Sequence, residues 1–275
     1  MAVPVSADHL QQRLMQQMYK ATFGKLLLQS DEANQARLRS AAGPGASRAF
    51  TVRPDSDEVR LSTVEMRLAV CSRLGLHFFS QTHGGRICAC GKVFKDMAHP
   101  STCRVLRRTG NLTLHDSLKL LLRRLGHRCG VSSVIEMALP NGELMDVVMA
   151  LPDRTLYIDV STTCPAAQSY RRGGARAGLF AAVARESKKD GIYRALVESE
   201  GGVFSPAVLE TYGAMPRSLV RLCELLSQTA QELHVPNAPS KNSMLNEIAC
   251  QLQRGHALLT QQTMAMARQP LSVVK

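Results

Sequence analysis

The sequence predicts a mixed α/β chain: a small sheet with helical segments on either side of it in the order of the chain. Apolar residues recur at helical spacing before residue 75 and again after residue 216. Between them, short β-type runs are punctuated by Pro140-Asn141-Gly142 and Pro152-Asp153-Arg154, both turn signals. Cys88, Cys90, His99 and Cys103 form a tight group just before the first of these runs. The expected organisation is a helical N-terminal arm over 1–80, a small knuckle over 81–108, an α/β core over 109–215 and a helical C-terminal extension over 216–275.

Each element has a local reason. Residues 7–29 read as a helix behind Ser6, with Leu10, Leu14 and Met18 at four-residue spacing, and Ala41-Ala42-Gly43-Pro44-Gly45 breaks the pattern. Ser62-Thr63-Val64-Glu65 is a capping box, and the helix behind it places Val64, Leu68, Cys71 and Leu74 on one face before ending near Gly75. Packing, not chemistry, is the expected role of this arm. A helix from Thr113 should bury Leu114, Leu118, Leu121, Leu122 and Leu125 and stop at Gly126. Strands follow over 133–138, 144–150 and 155–162. In the third, Leu156, Ile158 and Val160 share one face, and Tyr157, Asp159 and Ser161 the other. A loop through Pro165, Gly173 and Gly174 leads to a helix over 175–199, a strand over 203–210 and helices over 216–233 and 243–268.

Charge narrows the function classes. The chain carries 34 Lys and Arg against 22 Asp and Glu, a formal charge of +12, which favours polyanionic partners. A basic protein without a nucleic-acid role is the bland alternative. Arginine pairs at Arg107-Arg108, Arg123-Arg124 and Arg171-Arg172 suit phosphate, because the planar guanidinium makes bidentate bonds. Aromatics are only 4% and Trp is absent, which favours backbone phosphate contacts over base stacking. Of eight cysteines only three are clustered. With no secretory signal, that pattern reads as reduced intracellular chemistry, and the other five cysteines read as core residues. No apolar run approaches membrane-spanning length.

Two constellations carry chemistry. Cys88, Cys90, His99 and Cys103 supply three sulfurs and an imidazole, the ligand set of a closed tetrahedral Zn²⁺ site, and Gly91 permits the return of the chain. His83 is a spare ligand, and a metal-free surface loop is the alternative. Lys92, Lys95, Arg104, Arg107 and Arg108 would make this a phosphate-facing knuckle. Asp146 and Asp159, with twelve residues between them across a hairpin, can meet on one face. Paired carboxylates repel unless a cation intervenes, and Mg²⁺ or Mn²⁺ would serve, with Glu136 as a third oxygen ligand. The alternative places these acids at solvated strand ends. Lys188 or Lys189, with a slight preference for Lys188, could support charge at a phosphate, although such a run also reads as a solvated helix face. His115 could handle phosphate, while Asp116 suits the positive end of its helix.

The order of these features resembles the C-terminal region of non-LTR retrotransposon polyproteins, where a Cys/His knuckle precedes a restriction-enzyme-like endonuclease of the PD-(D/E)XK type. The resemblance runs through Arg73-Leu74-Gly75-Leu76, Cys88-Ala89-Cys90-Gly91, His99, Cys103 and His115-Asp116. It continues in Asp146, Asp159-Val160-Ser161, Lys188-Lys189, Tyr193, Val208-Leu209-Glu210-Thr211-Tyr212-Gly213 and Gln253-Arg254-Gly255-His256-Ala257. It implies a restriction-endonuclease-like mixed sheet and a nuclear enzyme that nicks DNA to prime reverse transcription. Asp146 and Asp159 would hold the metal, and Lys188 or Lys189 would replace the lysine of the motif. DNA, element RNA and a reverse transcriptase are the implied partners, with no membrane. Met145, Ser161 and Leu114 depart from the family's usual Pro, Lys and Arg, which leaves a decayed copy open. No Tyr-x-Asp-Asp polymerase motif occurs. The rival readings are a non-catalytic zinc-dependent nucleic-acid-binding module and a polymerase-interaction module.

Overall fold

Short β-branched and apolar runs joined by tight turns build the centre of the molecule. A computed structural model of the chain describes residues 7–76, 87–92, 98–103, 105 and 110–266. Strands β1 (Ser132–Ala138), β2 (Leu144–Ala150), β3 (Thr155–Thr163) and β4 (Val203–Glu210) form one mixed sheet in the order β1-β2-β3-β4. The first three are an antiparallel meander, while β4 runs parallel to β3. A parallel neighbour requires a crossover. It is supplied by a short helix, Arg171–Arg176, and a long one, Phe180–Ser199.

The helices, numbered along the chain, are α1 (Ala7–Leu28), α2 (Glu32–Ala41), α3 (Arg48–Thr51), α4 (Thr63–Leu74), α5 (His99–Thr102), α6 (Gly110–Arg128), the crossover pair α7 and α8, α9 (Arg217–Glu232) and α10 (Lys241–Ala265). The capping box before α4 is formed: Ser62 N–H donates to Glu65 Oε2 at 2.7 Å, and Glu65 N–H to Ser62 Oγ at 3.3 Å. Gly75 ends this helix in the left-handed region at φ 71°.

Strand alternation sorts the side chains. Leu156, Ile158 and Val160 join Val147 and Met149 against the leucine stripe of α6, the core to which α9 adds Leu219, Leu222 and Leu226, and α10 adds Met244, Ile248 and Leu252. The sheet and the C-terminal helices therefore bury one another. On the opposite face Tyr157 and Val148 pack with Val197 of α8 and with Phe204. Asp159 and Ser161 share this α8 side by the same alternation.

The structure differs from the sequence expectation in four places. Helix α2 was not expected; Asp31 starts it by accepting the Asn34 N–H at 2.8 Å. It docks on α7, where Gly174 lies so close to Ala36 that an added Cβ would sit 3.0 Å from that residue's own. The segment read as a loop through Gly173 is thus partly helical, and α8 starts at Phe180 rather than 175. Helix α6 starts earlier than expected, at Gly110. Leu10, Leu14 and Met18 of α1 stay exposed, so the stripe predicted to pack does not. Among the described residues, no helix is long and apolar enough to cross a membrane.

Candidate functional site

The knuckle is built from two tight turns. Cys88 N–H donates to the Lys92 carbonyl at 2.9 Å and Gly91 N–H to the Cys88 carbonyl at 2.8 Å, a loop closed by the φ of 81° at Gly91. The second pair sits on α5, where Cys103 N–H donates to the His99 carbonyl at 2.8 Å and so stacks the two ligands one turn apart. The four ligand atoms all lie within 4.8 Å of one another. Cys88 Sγ is 3.6 Å from Cys103 Sγ, and Cys90 Sγ is 3.6 Å from His99 Nε2. Bonds of about 2.3 Å to sulfur and about 2.0 Å to nitrogen in a tetrahedron give edges of roughly 3.5–3.8 Å, so the group fits zinc and could bind it. Burial pushes the Cys88 thiol up to about 11, so metal binding there must displace a proton. Cys88 and Cys103 rest on Leu259, which seats the knuckle on α10.

The carboxylates meet where the β2–β3 ladder ends. Pairing runs from Ala150 opposite Thr155 to Val147 opposite Ile158 and stops. The next positions on the two strands are Asp146 and Asp159. In place of a backbone carbonyl, Asp146 Oδ2 accepts the Val160 N–H at 2.7 Å. The same oxygen lies 3.1 Å from His115 Nε2, and His115 Nδ1 lies 3.3 Å from Asp116 Oδ1. Both ring nitrogens thus face carboxylates, as suits a doubly protonated imidazole. The bond to Asp146 accordingly raises the pKa of His115, outweighing its burial.

Asp159 is buried, with Lys189 Nζ 2.6 Å from its Oδ1 and the Ser161 hydroxyl donating to its Oδ2 at 3.2 Å. Burial nonetheless raises its pKa, and the charge of Asp146 adds to the rise against the pull of Lys189. Two carboxylates therefore sense each other at this split. Tyr193, one turn beyond Lys189 and 5.2 Å from its ammonium, is pushed up to about 12 by burial and by the Asp159 carboxylate.

Several candidates from the sequence fall elsewhere. Lys188 is exposed and makes no ion pair with a described residue; the side chain that reaches the carboxylates is Lys189, against the slight preference for its neighbour. Glu136 sits in the left-handed region at φ 55°, a position skipped in the β1–β2 ladder, and its carboxylate pairs with Lys119 at 2.5 Å instead of joining Asp159. His115, read as a phosphate contact, is engaged by Asp146. Arg104, Arg107, Arg108, Lys95 and His83 lie outside the described residues. Sequence reasoning missed Lys119, only 5% exposed and also 3.1 Å from Asp116, which ties Glu136 into the His115 network. It also missed Arg185, whose Nε donates to Ser161 Oγ at 3.5 Å. Its signal was present: Arg185 precedes Lys189 by four residues, so both lie on one helix face.

A groove of about 1140 Å³ runs beside the knuckle and is lined on the sheet side by Thr162 and Arg185, neighbours of the carboxylate cluster. Cys90, His99 and Cys103 line one end, and Thr162, Thr163 and Arg185 another.

No known protein-family model matches the chain, and no curated protein resembles it significantly in sequence.

Proposed function

We propose that the chain is a metal-dependent DNA endonuclease module of a mobile element, with a restriction-enzyme-like core and a zinc-stabilised knuckle, acting in the nucleus to nick DNA that primes reverse transcription. One juxtaposition carries this reading: Asp146, Asp159 and Lys189 are drawn together at the point where β2 leaves β3. The lysine of the motif is replaced by Ser161 in the strand, and α8 returns an ammonium to the same carboxylate from outside. The charge of +12 supplies attraction for a polyanion, and the Cys/His group precedes the core in the order the resemblance requires.

Asp146 and Asp159 would hold Mg²⁺ or Mn²⁺, which supplies polarisation of a phosphodiester and activation of water. Burial is the main cause of the raised pKa of Asp159 and the charge of Asp146 adds to it, a combination a hard cation would relieve. The chain's own groups do the rest. Val160 N–H and His115 fix one oxygen of Asp146. Lys189 holds Asp159 in place and lends positive charge where a phosphate gains negative charge. The decisive experiment is a plasmid-nicking assay with Mg²⁺ or Mn²⁺ comparing wild type with Asp159→Asn. Nicking by wild type that Asp159→Asn abolishes supports the reading, and equal activity of the two ends it.

The non-catalytic nucleic-acid-binding reading has one observation in its favour. Lys189 and Ser161 already engage both oxygens of Asp159, a self-sufficient arrangement that needs no cation. Tight DNA binding without nicking in either metal would select it.

A further inference from the structure

We propose that the groove between the knuckle and the end of β3 is a phosphodiester track anchored by Arg185 and Arg171, leading a DNA backbone from the knuckle to the carboxylates. The inference deepens the nuclease reading and rests on it for the identity of the polyanion. At about 1140 Å³ the groove has room for a stretch of polymer. Among the described residues its lining includes three cations, Lys92, Arg171 and Arg185, and no Asp or Glu. Among the described residues no carboxylate lies within ion-pair distance of any of the three. Elsewhere on this fold Lys119, Arg128, Lys189 and Lys241 pair with carboxylates, while Arg37, Arg48 and Arg73 are held by amide or carbonyl oxygens.

Half-buried guanidinium groups with no carboxylate partner among the described residues suit a ligand that brings its own negative charge. Arg171 is oriented for this, since its Nε donates to the Ala166 carbonyl at 3.1 Å and fixes the plane of the fork. Arg185 links the groove to the chemistry, because its Nε reaches the Ser161 hydroxyl that in turn donates to Asp159. His256 also lines the groove.

The test uses the full chain with its zinc and fluorescence anisotropy on labelled single-stranded and duplex DNA, without added Mg²⁺ or Mn²⁺, over a salt series. Arg185→Gln and Arg171→Gln should each weaken binding regardless of sequence and lower the salt slope by about 1, as loss of one phosphate contact does. Arg185→Lys should retain the slope and lose only part of the affinity. Arg221→Gln removes an exposed charge outside the groove and should keep wild-type binding. The DNA form whose binding responds to the groove variants identifies the strand state the track accepts. Thermal melts verify folding, and Arg171→Gln carries the test should Arg185→Gln unfold. Wild-type slopes for both groove variants, or an equal loss with Arg221→Gln, would overturn the proposal. A chain that binds through the groove but never nicks refutes the nuclease reading alone. One that nicks while both variants bind like wild type refutes the groove alone.

Discussion

Lys189 Nζ lies 2.6 Å from Asp159 Oδ1, while Lys188, one position earlier on α8, is exposed. Adjacent helical positions point about a quarter-turn apart, so only one of the two can face the sheet. Lys189→Met should therefore abolish or strongly reduce nicking, and Lys188→Met should leave it near wild type. Removing Lys189 also strands a buried carboxylate, at a stability cost of up to about 3–5 kcal/mol, less where Asp159 takes up a proton. Equal activity losses in the two variants would count against Asp159 as the site's anchor.

The knuckle should hold one Zn²⁺ per chain, with metal–sulfur distances near ~2.3 Å by X-ray absorption. Cys90→Ser or chelation should increase hydrogen exchange around residues 87–103 and leave β2 and β3 protected, since binding energy and local folding are coupled. Cys88 and Cys103 rest on Leu259, and Ala98 packs beside Cys164 and Tyr212. Protein with reduced cysteines and no zinc by metal analysis would refute the site.

A buried carboxylate at the end of β4 sets a pH dependence. Glu210 is 1% exposed, and its Oε1 accepts the Ala182 N–H at 3.2 Å, near the start of α8, whose own N-cap residue Leu179 makes no side-chain cap bond. Burial raises the pKa of this carboxyl above its ordinary 4.5. The folded state then binds the proton more tightly than the unfolded state. The resulting stability is complete below the unfolded value and is lost as pH rises through the higher folded one. Glu210→Gln, which keeps an acceptor for Ala182, should gain stability relative to wild type as pH rises above the ordinary value of 4.5 in thermal melts. A relative loss growing with pH would reverse the sign and refute the assignment.

The sheet was legible because each strand carries its own signal: β2 and β4 match their apolar runs, and Asp159 follows from the alternation of Leu156, Ile158 and Val160. The knuckle was legible for a similar reason, since all four ligands lie within sixteen residues. What could not be read is what depends on distant packing. Helix α2 has weak apolar patterning and is held by its fit to α7, an element about 140 residues later. The choice of Lys189 over Lys188 depends on the rotation of α8, which its evenly mixed surface does not reveal. The displacement of Glu136 depends on a left-handed backbone position inside a strand, which no propensity of glutamate predicts. Asp116 lies one turn before Lys119 on α6, but only the fold brings Glu136 to that lysine.

The contact between His115 and Asp146 separates two roles for the histidine. A phosphate contact would affect DNA binding, whereas a residue that orients Asp146 would affect the use of metal. His115 Nε2 and Val160 N–H share Asp146 Oδ2, so losing His115 leaves one donor and a carboxylate freer to turn. Partners that orient metal ligands typically matter by about 10–100-fold in metal affinity or activity. His115→Ala should raise the Mg²⁺ concentration needed for half-maximal nicking by that order and leave DNA affinity measured without Mg²⁺ close to wild type. His115→Gln, whose amide nitrogen can reach the place of Nε2, should recover part of the loss. Asp159→Asn serves as the background for the assay. If His115→Ala instead weakens DNA binding and extra Mg²⁺ restores nothing, His115 contacts phosphate directly, and the Asp146 contact is incidental to the free state.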